Sequence, residues 1–202
     1  MKMPMKKASK IFLLLMLILI PLSGHVDAKS RRYKKHKYKK SVVQAPNEYP
    51  NPHNTVKIVI DKESYTLKVY NVNDSLLKEY PVGLGINYGN KRRKGDHKTP
   101  EGEFTVKMIQ NSSGWTHDFR DGKGKISGAY GPWFIRLATP PFTTIGIHGT
   151  HDPASIGTRC SEGCIRLHNE DVAELKEYVY PGLKVIILPG KEDLEADNKR
   201  NF

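Results

Sequence analysis

Cysteine is scarce in this chain, with two in 202 residues, Cys160 and Cys164. Two cysteines allow one disulfide at most, so no disulfide framework holds the fold. Neither follows the N-terminal apolar run, which excludes a lipoprotein signal. Long apolar runs are equally scarce. The longest, Ile11 to Ile20, falls short of the roughly 20 residues that a membrane-spanning helix needs. Internal repeats are missing, and with them any solenoid architecture. Net charge is also missing from most of the sequence. The formal charge is +12, but four lysines lie in the first ten residues and eight more basic residues lie between Lys29 and Lys40. The twenty-one basic residues that follow meet twenty acidic ones. Basicity therefore belongs to the N-terminus, and the near-neutral remainder argues against a nucleic-acid partner.

What is present begins with an export signal. Lys2, Lys6, Lys7 and Lys10 precede the apolar run, Pro21 and Gly24 break it, and Val26 and Ala28 are the small residues of a cleavage site. Residues 1–28 thus read as a signal peptide cleaved after Ala28, with a retained membrane anchor as the alternative. Residues 29–54 follow as a basic arm with Pro46, Pro50 and Pro52. Clustered like charge without apolar periodicity builds no core, so this arm is expected to be disordered. It reads equally as an attachment to an anionic wall or membrane surface and as a solvated spacer.

From Thr55 the pattern becomes that of strands. Val56 to Asp61 and Tyr65 to Tyr70 each alternate apolar and polar residues around a short polar connection, which predicts a hairpin. Leu76 to Val82 predicts a third strand, leading into Gly83-Leu84-Gly85. Asn90 to Asp96 reads as a basic loop, and Thr99-Pro100-Glu101-Gly102 as a turn before a strand from Glu103 to Met108. Trp133 to Leu137 and Thr143 to His148 are two more apolar strands. Asn169 to Val179 is the one helix after the signal, with Asn169 as its cap and Pro181-Gly182 as its stop. Leu183 to Leu188 closes the domain, and residues 190–202 form a polar, mostly charged tail. Many short strands with turn signals predict a mainly β fold, sandwich or barrel, carrying a helix over residues 55–189.

Chemistry concentrates in two segments. His148 ends a strand and is followed by Gly149, and sixteen positions later Cys164 follows Gly163 just before the helix. A thiol becomes a nucleophile when its pKa is lowered or a base stands beside it, and a helix N-terminus and an imidazole offer both. Gly163 lets the backbone approach a substrate closely. The amides of Gly163 and Cys164 are placed to face a developing oxyanion. His148 is placed to take the thiol proton and return it to a leaving amine.

Ile145-Gly-Ile-His148-Gly149-Thr150 and Ser161-Glu162-Gly163-Cys164-Ile165-Arg166 together resemble the signature of the L,D-transpeptidase catalytic domain, the YkuD family. The resemblance extends to the first hairpin and to Thr99-Pro100-x-Gly102-x-Phe104, so it covers roughly residues 55 to 189. It implies a β-sandwich-like fold and a cysteine acyl-enzyme that needs no cofactor. The substrate implied is the peptidoglycan stem peptide, attacked at the third residue with release of terminal D-alanine. Transfer to an amine of a neighbouring stem gives a 3→3 cross-link, whereas transfer to water makes the enzyme an L,D-carboxypeptidase. The resemblance assigns Cys164 as nucleophile, His148 as base, the Gly149 carbonyl as the group that orients His148, and Gly163 and Cys164 as oxyanion donors. Ser161 and Arg166 shape the motif, and Arg166 is also placed to face a substrate carboxylate. It further implies inhibition by carbapenems through acylation of Cys164. Many members carry histidine where this chain has Glu162, whose carboxylate is expected to point away from the thiol.

Other readings stand beside these. Cys160 reads as a packed thiol, with a disulfide to Cys164 as the rival. His148, His151, Cys160, Cys164 and His168 offer zinc-type ligands, but at no standard spacing, and no metal is expected. Tyr130, Trp133 and His151 are candidates to line a substrate groove, although a β domain buries aromatics by default. Arg136 reads equally as a site residue and as a salt-bridged face residue. A non-catalytic wall-binding module is the reading from a different class.

Overall fold

In a computed structural model, which describes residues 51–120 and 122–199, the alternating segments fold as strands. The signal-peptide reading and nearly all of the basic arm lie outside the described residues. Asn51 to Asn54, read from the sequence as the end of that arm, already belong to the fold. The Asn51 side chain brackets Thr55, donating to its carbonyl at 2.9 Å and accepting its amide at 2.8 Å, and His53 stacks on Tyr178.

The strands are β1 (Thr55–Asp61), β2 (Thr66–Asn71), β3 (Leu76–Pro81), β4 (Leu84–Gly85), β5 (Gly102–Asn111) and β6 (Thr116–Asp118). They continue as β7 (Lys125–Ser127), β8 (Trp133–Ala138), β9 (Gly146–His148), β10 (Arg159–Ser161), β11 (Ile165–Arg166) and β12 (Lys184–Leu188). Eight of them form one sheet in the order β11-β9-β8-β5-β12-β1-β2-β3. β1 pairs in parallel with β12 and β9 with β11, and the other neighbours are antiparallel. The sheet curls until its edges meet. Two residues beyond the end of edge strand β3, Gly83 exchanges both backbone hydrogen bonds with Arg166 on the opposite edge strand, at 2.8 and 2.9 Å. Curling encloses the inward face of each strand, which carries Ile58, Ile60, Leu67, Val69, Ile135, Leu137, Ile147 and Ile165. Full burial of each such side chain contributes roughly 1.5–3 kcal/mol, and two-residue periodicity is what sends all of them inward.

The helix α1 (Asn169–Leu175) continues as a 3₁₀ turn, Lys176–Tyr178, and buries Val172 and Leu175. Its cap differs from the expectation. His168 occupies the cap position in extended backbone, while the Asn169 side chain accepts the Thr150 amide at 2.9 Å. Several elements were not foreseen, among them the short strands β10 and β11. β6 and β7 form a small separate hairpin, and the residues after Pro189 fold as a second helix, α2 (Lys191–Asn198).

A buried charged cluster secures α2. Lys62 and Asp193 are both inaccessible, and their charges meet at 2.8 Å. Lys62 also reaches Glu101 at 2.7 Å. Asp193 accepts the Gly89 amide at 2.6 Å, the Gly190 amide at 3.1 Å and Arg159 Nη2 at 2.7 Å. Each buried charge is therefore both paired and hydrogen-bonded, the condition under which burial is tolerated. The cluster joins α2, the loop after β4 and the start of β10. Removing one partner strands the others, so Asp193→Ala is expected to lower stability by about 3–5 kcal/mol in urea unfolding. Breaking the exposed Lys68–Glu79 pair is expected to cost no more than about 1 kcal/mol. Equal losses at the two sites would show that the cluster is not what secures this end of the fold.

Candidate active site

Strand register assembles the site. In the parallel pair β9–β11, Ile147 lies beside Ile165 and His148 beside Arg166. Side chains alternate along each strand, so the two isoleucines enter the core while His148 and Arg166 share the outer face. Cys164, two positions before Arg166, returns to that face. β8 follows the same rule, with Ile135 and Leu137 inside and Phe134 and Arg136 outside. Cys164, His148, Arg166, Phe134 and Arg136 accordingly line one cavity of about 590 Å³.

The His148 imidazole is 2% exposed. Its Nδ1 lies 2.6 Å from the Gly149 carbonyl oxygen. A carbonyl only accepts, so Nδ1 carries the proton and Nε2 keeps its lone pair. Phe134 stacks on one side of the ring at 5.2 Å, and Tyr130 meets it edge-on at 5.0 Å. Phe134 fits because residue 146 is glycine, where a Cβ would stand 2.3 Å from the phenyl ring. Burial pushes the His148 pKa down to about 3, with the nearby Arg166 cation acting in the same direction and the Gly149 carbonyl opposing it.

Ser161 builds the turn that carries Cys164. Its hydroxyl donates to the Cys164 carbonyl at 2.6 Å and accepts the Gly163 amide at 3.0 Å. The Gly163 amide, expected to face an oxyanion, is thus engaged inside the turn. Gly163 has φ +126°, and a Cβ there would lie 2.6 Å from the Lys98 carbonyl oxygen, so the turn has room for glycine alone. The Cys164 thiol donates to the Thr144 carbonyl at 3.5 Å. Burial pushes its pKa up, against a backbone hydrogen bond from Gly146 and the pull of Arg166, Lys91 and Arg136. The helix does not help, because β11 separates Cys164 from α1.

Arg166 is 6% exposed, and its Nε has no hydrogen-bond partner among the described residues. Its guanidinium lies 5.2 Å from the Phe119 ring. Arg136 donates to Gln110 and to the Thr143 carbonyl, and it too lines the cavity, with no salt bridge among the described residues.

The other expected lining residues divide. Tyr130 lines the cavity. Trp133 does not. It packs at the core edge under Lys176, whose Nζ is 4.8 Å from its ring. Trp133 has the strand parity of Ile135 and Leu137, a signal that could have placed it. His151 is exposed and outside the lining, with its ring 5.1 Å from that of Phe119. The β6–β7 hairpin instead supplies Trp115, His117 and Phe119 at alternate positions, all lining the cavity. Glu162 also lies on the cavity wall, against the expectation that it turns away, with Oε2 3.3 Å from His117 Nε2. Cys160 is a free, packed thiol against Gly83 and not a disulfide partner. Among the described residues no group of three His, Cys, Asp or Glu side chains converges as metal ligands.

A family model described as the L,D-transpeptidase catalytic domain, YkuD, matches residues 55–187. Two relatives named as YkuD L,D-transpeptidases are similar over most of this region. The Bacillus licheniformis protein is 35% identical over 133 residues, 66% of each chain. The Bacillus subtilis protein is 33% identical over 142 residues, 70% of each chain. An L,D-transpeptidase from Mycobacterium smegmatis shares the fold with a TM-score of 0.50 at 21% identity, covering 67% of this chain and 58% of that one. The match thus spans about two thirds of the Bacillus chains and less of the mycobacterial one.

Burial raises the thiol pKa and lowers that of the imidazole, so it disfavours a thiolate–imidazolium pair at rest. Alkylation of Cys164 by iodoacetamide, followed on its own peptide by mass spectrometry, is expected to rise steadily with pH into and beyond the ordinary thiol range, about 8.5. A plateau of high reactivity below pH 7 would overturn this assignment.

Proposed function

The chain belongs to the L,D-transpeptidase family, and we propose that it forms 3→3 cross-links in peptidoglycan through a thioester on Cys164. The observation that carries this reading is the shared cavity of Cys164 and His148, with Nδ1 tied to Gly149 and Nε2 left as the only basic atom of the ring. As the Cys164 sulfur attacks the carbonyl of the third stem residue, its proton passes to His148 Nε2. Collapse breaks the bond to D-alanine, whose amine takes that proton. An amine of a second stem then attacks the thioester, and the sulfur leaves with a proton returned through His148. Proton transfer coupled to attack suits a pair whose charged forms burial disfavours. The Cys164 amide serves as the oxyanion donor from within the turn, since Ser161 holds the Gly163 amide.

Arg166 supports a substrate that brings a carboxylate. A buried guanidinium with no acid partner among the described residues is costly, and an incoming anion relieves that cost. The family's work on the cell wall fits the export signal read from the sequence, with action in the periplasm or wall.

Purified, reduced protein incubated with disaccharide-tetrapeptide is expected to yield a dimer lighter by one D-alanine. Cys164→Ala should abolish it and His148→Ala lower it by about 10²–10⁴-fold. Tripeptide alone would make the chain an L,D-carboxypeptidase, and no product on several stem types would favour the non-catalytic wall-binding reading. A carbapenem is expected to add its mass to Cys164 and not to the alanine variant. An unmodified intact mass after prolonged exposure would contradict that.

A further inference from the structure

We infer that Glu162, held in place by His117, is the recognition site for the protonated amine of the acceptor strand. The inference rests on the transpeptidase reading and adds to it how the second substrate enters. The cavity gathers positive charge in a near-neutral domain. Lys94, Arg120, Arg136 and Arg166 line it, against Asp118 and Glu162, while Lys91, also on the wall, is paired with Asp96 at 2.7 Å. That balance suits a donor peptide with free carboxylates. An acceptor amine has a pKa near 10 and arrives as an ammonium, which the same cations repel. It needs a counter-charge close to the thioester.

Glu162 is the acid with the geometry to provide one. It stands two residues before Cys164 in the turn locked by Ser161, so its backbone is fixed relative to the sulfur. His117 Nε2 lies 3.3 Å from Oε2, and His117 Nδ1 is hydrogen-bonded to the Tyr130 hydroxyl at 2.9 Å. Tyr130 in turn meets the His148 ring. The carboxylate therefore belongs to a connected set that ends on the proposed base. Its side chain is 49% exposed, which leaves it open to a ligand entering from solvent. Asp118 is placed differently. It occupies the alternate parity to His117 and Phe119, and its carboxylate already accepts the Arg120 amide at 2.8 Å.

The step balances without a further reactant. The ammonium docks on Glu162 and loses one proton to solvent through that half-exposed carboxylate. The free amine attacks the thioester carbon, forming the new C–N bond. Its second proton passes through His148 Nε2 to the departing Cys164 sulfur as the C–S bond breaks. His117 is a positioning residue here, since both its nitrogens are engaged with Glu162 and Tyr130.

The test compares the full, reduced chain with Glu162→Gln, Glu162→Asp and His117→Gln on disaccharide-tetrapeptide, scoring D-alanine, dimer and tripeptide by mass spectrometry. The dimer-to-tripeptide ratio is expected to fall about tenfold in Glu162→Gln, to recover in part in Glu162→Asp, and to fall about threefold in His117→Gln, with KM for the acceptor rising more than kcat falls. A competition adds a readout independent of total activity. The ratio of product from a cationic primary amine to product from hydroxylamine, uncharged at neutral pH, should fall in Glu162→Gln. If wild type releases D-alanine and both ratios stay within twofold in Glu162→Gln, the inference is wrong and the transpeptidase reading stands. If wild type releases no D-alanine and forms no acyl-enzyme, the reading fails and takes the inference with it.

Discussion

Two residue pairs between β9 and β11 are the constraint on which the site depends. Their register decides that His148, Arg166 and Cys164 face the cavity while Ile147 and Ile165, both inaccessible, face the core. A slip of one residue would exchange the two sets and bury a guanidinium where isoleucine now sits. So short a pairing cannot resist that slip alone, and the neighbouring backbone supplies the resistance. Gly83 grips Arg166 from the far side with two hydrogen bonds, and the Leu167 amide donates to the His148 carbonyl at 2.8 Å. Asn169 fixes the backbone just beyond Gly149 through Thr150. The Lys62–Asp193–Arg159 cluster anchors β10 five residues before Cys164. A helix at the C-terminal end of the domain thus stiffens the turn that carries the thiol.

Electrostatics and packing pull the same way around His148. Phe134 and Tyr130 exclude water from the imidazole, so its charged form is disfavoured, and Arg166 beside it disfavours that form further. A site organised like this gains little from a pre-ionised nucleophile. Its advantage lies in holding a neutral thiol, a neutral base and a cation for the substrate in fixed relation, so that little reorganisation remains for the transition state.

Much of this was legible in the sequence where a period or a motif carried it. The alternation of β1 and β2 and the short apolar runs of β8 and β12 read directly as strands, and the curled sheet is mainly β as expected. The two motif segments meet in one cavity because each lies at a strand end on adjacent strands. What escaped had weaker signals. β6 and β7 are three residues each, polar, and set among glycines, so they offer no run long enough to show a period. α2 hides its attachment in Asp193, a charged side chain at 0% exposure, while its leucine, Leu194, is 41% exposed. Hydropathy reads such a helix as surface tail, because the charges that pair with the acid, Lys62 and Arg159, lie far from it in sequence. Glu162 was misplaced for a related reason. Its environment depends on His117, from a hairpin that local reading did not detect.

That hairpin also shows how the cavity and the fold support each other. A two-stranded ribbon is marginal by itself, and β6–β7 makes no ladder with the main sheet. Its order comes from side chains that reach the site. Trp115 packs on Phe134 at 5.4 Å and on Tyr130 at 5.8 Å, Phe119 lies against Arg166, and His117 bridges Tyr130 and Glu162. Aromatic contacts of this kind are worth about 0.5–1.5 kcal/mol each beyond the area they bury, comparable to the deficit of a short ribbon. The roof of the cavity is therefore ordered by the same residues that line its floor. A substitution at Tyr130 or Phe134 acts on His148 directly and, through Trp115 and His117, on the wall that carries Glu162.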